Sequence, residues 1–450
     1  MKPRNIAIVG AGQAGLQLAI HLLSQEKYHV SLYTDRTADQ VRSGRILSSQ
    51  GMFNTALQVE RLLSLNLWDD QCPVNTTVTF SLVAPDSNNI AIYWQGQVQP
   101  YQSIDQRMKF SRWMEIFENR GGHLVVEEVD LSKLNAIAQH HELTIVATGK
   151  GQIGEAFSRD DTRSRFTTPQ RILTCLYVKN MKPMRDSFGV RGNIIPGVGE
   201  YFTMPGLTHN GHCQMMLFEG LPTREFDCWD KISSPAEQLQ QAKLLLTKFL
   251  PWEAECCHDI VLTDENATLK GAYTPIIKYP TFTLPCGKSV LGLGDAIVLN
   301  DPIAGQGANH ACKSAYIYGK RIINQEDKPF DETWMKETAE IAWTQHGKGS
   351  TDLSELLLMP PPASAIEVFQ AASKNPLLAN KLAALFDVPS DLSWLVDPEQ
   401  ASAFIKENEN KNEADHYKIK SEKSMETRST TFSENVERVV TYPDHSNNRG

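Results

Sequence analysis

The chain has 450 residues, of which 41 % are hydrophobic and 22 % charged, with a formal net charge of −9. This is the composition of a globular protein long enough for more than one layered unit, and its acidic balance gives no electrostatic footprint for DNA or RNA. Its eight cysteines stand singly except for Cys256 and Cys257; Glu255, Cys257 and His258 have no second cluster to complete them, so no metal is expected and the thiols are read as reduced and buried.

In chain order, the first signal is the stretch from Arg4 to Arg36. An apolar run, Ile6 to Val9, is followed by Gly10, Gly12 and Gly15 in the spacing G-x-G-x-x-G, then by the apolar-periodic segment Leu16 to Leu23. Strand, turn and helix in this order form a phosphate cradle: the glycines supply a tight turn, close backbone approach and close helix-to-strand packing. The helix N-terminus favours the negative charge. A second strand, Val30 to Tyr33, ends at Thr34 and Asp35, where an acid can bind a ribose hydroxyl. Gly10, Gly12, Gln13, Ala14, Gly15, Thr34 and Asp35 are therefore the candidate nucleotide contacts. With Ile6 already in a strand, no signal peptide is expected, and no apolar run approaches the roughly 20 residues that cross a membrane. A cytoplasmic protein without a membrane partner is expected.

Val41 to Gln58 reads as a loop running into a helix, with further helix over Val59 to Leu67. Residues 77–94 alternate around Pro85-Asp86-Ser87 and predict a hairpin. A helix is expected over Ile104 to Asn119, stopped at Gly121-Gly122, then a short strand, Leu124 to Val129. Leu143 to Gly149 is a continuous apolar run closing on Thr-Gly, the pattern of a buried parallel strand whose end meets a ligand.

From about 165 to 290 the strand-like runs Ile172 to Val178, Gly189 to Ile195 and Gln214 to Phe218 suggest an antiparallel sheet, interrupted by a helix, Pro235 to Phe249. Ser289 to Asp295 is again a buried strand. It is followed by the loop Pro302 to Asn309 and a helix, His310 to Asn324. Helices continue to about Phe404, and Lys406 to Gly450 is polar enough to read as a disordered tail.

Three separated signals, GAGQAG at 10–15, ATG at 147–149 and GLGD with DPIAGQGAN at 292–309, stand in the order of an FAD-binding monooxygenase. In detail the chain resembles the two-component FAD-dependent styrene and indole monooxygenases (group E flavoprotein monooxygenases), colinearly from residue 1 to about 404, with YTDR at 33–36, GRIL at 44–47 and ATGK at 147–150 adding to the likeness. The resemblance implies an α/β fold: a Rossmann-like FAD-binding domain of the p-hydroxybenzoate hydroxylase type, an inserted antiparallel β-sheet substrate domain and C-terminal helices. The expected boundaries are 1–164 with 287–330 for the discontinuous FAD-binding domain, which includes a small hairpin at about 77–94. The substrate sheet then covers 165–286, the C-terminal helices 331–405 and the disordered tail 406–450.

By the same resemblance Asp295 holds the ribityl or ribose chain, and Pro302, Gly305, Gln306, Gly307, Ala308 and Asn309 lie beside the reactive ring. Arg45, Arg107 and Gly149 match FAD-contacting positions, with an ordinary helix-surface charge as the other reading of Arg107. Thr148-Gly149-Lys150 stands where the wider hydroxylases carry Asp-Gly, which fits enzymes that receive reduced FAD from a separate NADH-dependent flavin reductase. Ser48, Gln50 and Met52 match the indole branch. Ser and Gln offer partners for an indole N–H and Met an adaptable wall, against the alternative of a polar surface loop with one buried Met.

The implied reaction is that of reduced FAD with O2 to give a C4a-peroxyflavin, which epoxidises the C2=C3 bond of indole on the way to indoxyl and indigo. Ser48, Gln50 and Met52 would orient the substrate; Asn309 and the 305–308 backbone would position the flavin. Styrene epoxidation, a one-component hydroxylase and a non-oxygenating FAD-binding oxidoreductase remain as alternatives. A halogenase is disfavoured by the lack of a WxWxIP stretch.

Overall fold

The computed structural model describes residues 3–409 except 49, 86, 150, 185 and 186. Two sheets dominate. The first has six strands in the order Thr281–Thr283, Ser289–Gly292, Leu143–Val146, Arg4–Val9, Tyr28–Thr34 and His123–Val126. All its pairings are parallel except the outermost, Thr281–Thr283 with Ser289–Gly292. Its strands are near-continuous apolar runs because helices cover both faces: Ile6, Ile8, Leu32, Ile145 and Leu291 are all fully buried. Gln13–Leu23 and Gln306–Gln325 pack against one another over this sheet.

The second sheet has eight strands and is antiparallel but for one pair. Ile172–Lys179, Gly211–Gly220, Gly199–Thr208 and Gly189–Ile195 are its centre. The hairpin Asn75–Val83 and Ile90–Tyr101 completes it, Thr77 to Leu82 pairing in parallel with Gly189 to Ile194. This corrects the assignment of the hairpin to the nucleotide-binding unit. It is built into the substrate sheet, and its outer strand is covered by the helix Pro376–Ala384. That contact is so close that a Cβ on Gly96 would stand 2.1 Å from the Ala379 carbonyl oxygen.

Several boundaries move. The helix expected from His310 begins at Gln306, so the glycine-rich loop is its first turn, and Gly305, with φ +62°, is its cap. The helix expected from Val59 is instead Asn54–Leu62. Pro235–Phe249 lies where expected and carries a full capping box between Ser234 and Glu237. Gly199–Thr208 and the helix Leu131–His140 were not expected. At the end of the described chain, residues 398–409 are helical apart from the expected tail, so Lys406 to Glu409 extend a helix; the tail from 410 on lies outside the described residues. Among the described residues no helix is long and apolar enough to cross a membrane.

Candidate active site

The fold brings the separated motifs into contact. A Cβ on Gly10, whose φ is +116°, would lie 2.8 Å from the carbonyl carbon of Ala147; one on Gly149 would lie 2.5 Å from the carbonyl oxygen of Asp295; one on Gly294 would lie 3.3 Å from the Cβ of Ala14. GAGQAG, ATG and GLGD are therefore one surface. Gly15 packs harder still, a Cβ there falling 1.9 Å from the Gly10 carbonyl oxygen.

Gly12 behaves differently. A Cβ there meets nothing within 4 Å, and its backbone is ordinarily extended at φ −94°. Among the described residues the missing side chain serves no contact, and it leaves open the cradle in which a pyrophosphate would meet the helix N-terminus. The donor set fits FAD. Asp35 follows its strand directly and is exposed, Arg45 is exposed, and Asp295 is exposed in the turn after Ser289–Gly292. Gly307 has open space beside it, like Gly12. Thr34 is buried, and its Oγ1 accepts from the Arg36 N–H at 3.4 Å.

Other expected contacts turn inward. Gln13 donates to Gln17 (3.1 Å) and to Glu60 (3.0 Å), and Glu60 is paired with Lys109, all of them buried. Gln13 can thus serve a phosphate through its backbone N–H, with its side chain in this network. Arg107 is not a surface charge: it is 1 % exposed. Its guanidinium donates to both carboxylate oxygens of Asp105, to both of Asp264 and to the Gly44 carbonyl. Burial works against its charge, but the two carboxylates hold it firmly protonated. Burial alone would raise Asp264; the Arg107 hydrogen bond and charge carry it below its usual range instead. In this arrangement the guanidinium ties the Gly44 carbonyl to Asp105 and Asp264 and leaves no donor for a flavin.

Gln306 also points away from a ring, donating to the carbonyls of Ala304 and Phe386, both at 2.9 Å. Asn309, fully buried, accepts from the Phe53 N–H at 2.9 Å and donates to the carbonyls of Gly51 (2.7 Å) and Gly305 (2.8 Å). It holds the 51–53 loop onto the glycine-rich turn, which makes it a positioning residue and not a substrate contact. Asn309→Ala is expected to lower stability by about 2–4 kcal/mol, because it strips buried backbone groups of their partner. Thermal unfolding checks this; an unchanged midpoint would remove the bridging role.

The three loop residues are likewise not equivalent. Ser48 is half-buried, and its carbonyl accepts from the Tyr177 hydroxyl at 2.6 Å. Burial pushes Tyr177 well up, so it stays a neutral donor. Gln50 is buried, donating to the Ile104 carbonyl and accepting from Gln106 at 2.9 Å. Met52 is fully buried among Ala56, Leu57 and Cys312, with Ala308 beside it, and its backbone is bridged to Gln102. Both side chains are held within the fold, Gln50 by hydrogen bonds and Met52 by apolar packing.

Sequence reasoning missed the apolar cluster that joins this loop to the sheet. Ile46 and Phe53 of the loop join Ile303 and Ala304 of the turn in one cluster with Tyr101, Tyr177, Met204 and Met215 of the sheet. The Phe53 and Tyr101 rings lie 4.8 Å apart, and a Cβ on Gly51 would meet the Met204 sulfur at 3.0 Å. The strand alternation carried part of this signal; the loop's contribution is tertiary. Beyond the site, Cys256 and Cys257 are buried thiols and His258 is paired with Asp259.

The arrangement is that of known flavoproteins. A flavoprotein/dehydrogenase from Cytophaga hutchinsonii superposes with TM-score 0.66 at 13 % identity, covering 91 % of this chain and 100 % of that one. The p-nitrophenol 4-monooxygenase PnpA from Pseudomonas putida DLL-E4 gives 0.59 at 12 % identity, covering 86 % and 98 %. Residues 149–256 match the family described as "Styrene monooxygenase A putative substrate binding domain". Styrene monooxygenase StyA of Pseudomonas fluorescens is 28 % identical over 405 residues, 86 % of this chain and 94 % of that protein. The fold is the p-hydroxybenzoate-hydroxylase-like fold, and the relatives found by sequence are flavin-dependent monooxygenases. Within that group of flavoproteins the sequence similarity is to styrene monooxygenases, over residues 149–256 by the family model and over most of the chain by the curated relatives.

Proposed function

We propose that this chain takes reduced FAD from a separate NADH-dependent flavin reductase and adds one atom of O2 across the C2=C3 bond of indole. The observation that supports an apolar aromatic substrate is the buried apolar cluster in which Ile46, Phe53, Tyr101, Tyr177, Met204 and Met215 meet the Ile303–Ala304 turn. A cluster of this kind binds a neutral ring through apolar area and keeps water from the reaction. Gly12, Asp35, Arg45 and Asp295 would hold the nucleotide and ribityl portions, and Gly305 to Ala308 the ring. Bound in reduced form, the flavin supplies the activation of O2. The protein's share is orientation: Asn309 fixes the loop to the turn, and Tyr177 fixes Ser48.

A second reading, epoxidation of the vinyl bond of styrene, is favoured by one observation. Both ends of the Gln50 amide are engaged by Ile104 and Gln106, which withdraws one expected partner of an indole N–H. The deciding experiment mixes purified protein anaerobically with chemically reduced FAD and indole or styrene, then admits oxygen and follows the products. Blue pigment from indole without NADH or reductase supports the first reading. Styrene oxide with little indole product selects the second, and hydrogen peroxide alone from both rejects the oxygenase proposal.

A further inference from the structure

Behind the glycine-rich turn lies a group of buried acids that the binding of flavin and substrate does not use. Glu219, on the strand Gly211–Gly220, lies between Leu173 and Glu200 of its neighbours. Asp301 immediately precedes the turn Pro302–Ala304 and accepts from the Ile303 N–H at 3.1 Å. Glu219 is 0 % and Asp301 1 % exposed. The other groups around them are Glu200, Arg171, Tyr273 and Asn300. Arg171 is committed to Glu200 by two hydrogen bonds of 2.6 and 2.9 Å. Tyr273 donates to the Asn300 carbonyl at 3.1 Å.

Three buried carboxyls therefore share one guanidinium, and that guanidinium is paired with Glu200. Among the described residues no donor faces either oxygen of Glu219; the side chain against it is the Asp301 carboxyl. Two adjacent carboxylates at such burial cannot both ionise, and a bond between them requires a proton. The backbone N–H on Asp301 favours the charge there, so Glu219 carries the proton.

We propose that Glu219 is a positioning residue for the flavin-facing turn, its carboxylic acid donating to the Asp301 carboxylate and so fixing Pro302–Gly305 against the substrate sheet. This rests on the reading that the turn lies beside the flavin ring. Burial first, then the charges of Asp301 and Glu200, hold Glu219 well above the usual carboxyl range, with Arg171 opposing. The folded state thus keeps a proton that the unfolded state releases near pH 4. Its stabilising effect is complete below that value and is lost as pH rises towards the folded one, the unfolding constant increasing by up to about tenfold per pH unit.

The test uses the full chain as wild type, Glu219→Gln and Glu219→Leu, measuring thermal unfolding and binding of oxidised FAD across about pH 4 to 9. Glu219→Gln keeps a donor without a titrating proton. It should match wild type at the acid end and outlast it, in both stability and FAD affinity, as pH rises. Glu219→Leu leaves Asp301 without that donor and should bind FAD about tenfold more weakly throughout. Identical pH profiles for wild type and Glu219→Gln would overturn the shared proton. Divergent unfolding with equal FAD affinity in all three would overturn the positioning role. If wild type binds no FAD at any pH, the flavin reading of the turn fails, while the unfolding curves still decide whether Glu219 holds the proton.

Discussion

Replacing Arg107 by methionine is expected to destabilise the protein by about 3–5 kcal/mol, the cost of leaving a buried charge without its partner. Asp105 is 0 % exposed and keeps only the Arg107 backbone N–H, at 2.9 Å, once the guanidinium is gone. Asp264 is partly exposed, so Asp264→Asn should cost far less: Arg107 keeps Asp105, and water reaches the vacated position. Arg107→Lys should fall between, because an ammonium preserves the charge but not the fork that serves two carboxylates and the Gly44 carbonyl together. Denaturant titration of the three variants measures the order. If Arg107 were chiefly a flavin contact, Arg107→Met would instead retain wild-type stability and lose FAD affinity, and that result would discard the structural account.

The second large effect separates two glycines three residues apart. Gly15→Ala should exceed the roughly 1–3 kcal/mol of ordinary overpacking, because its obstacle is the Gly10 carbonyl and not a side chain that can turn aside. Gly12→Ala should leave the unfolding midpoint almost unchanged, since its Cβ enters empty space at an unstrained backbone angle. It should nevertheless weaken FAD binding by at least about tenfold, by occupying the cradle through which phosphates reach the helix N-terminus. Fluorescence titration with FAD beside thermal unfolding reads both. Wild-type affinity in Gly12→Ala would place the phosphates elsewhere.

How far each feature was legible depended on its range. Pro235–Phe249 was plain because Ser234, Pro235 and Glu237 cap it within four residues. Gly199–Thr208 was hidden by Pro205 and Gly206, which read as breakers until the strand is seen paired along its whole length with Gly211–Gly220. The hairpin was recognised but misplaced, since its partner Gly189–Ile195 is separated from it by about ninety residues of chain and no local pattern announces a parallel pairing. Among site residues, the glycines were legible because their role is backbone geometry. For Gln50, Met52, Gln306 and Asn309 the direction of each side chain came only from what packs around it.

The sequence by itself determined the strand–turn–helix of the glycine-rich cradle and the buried strands that close on Thr-Gly and Gly-Asp, because each depends on spacing within a few residues; the chemistry was implied by the family resemblance that these motifs carry together. Only the tertiary structure decided that Arg107 is a buried tie, that Asn309 joins loop to turn, and that Glu219 and Asp301 meet beneath it. Those outcomes depend on contacts between segments tens to hundreds of residues apart, where burial sets which polar groups must find each other.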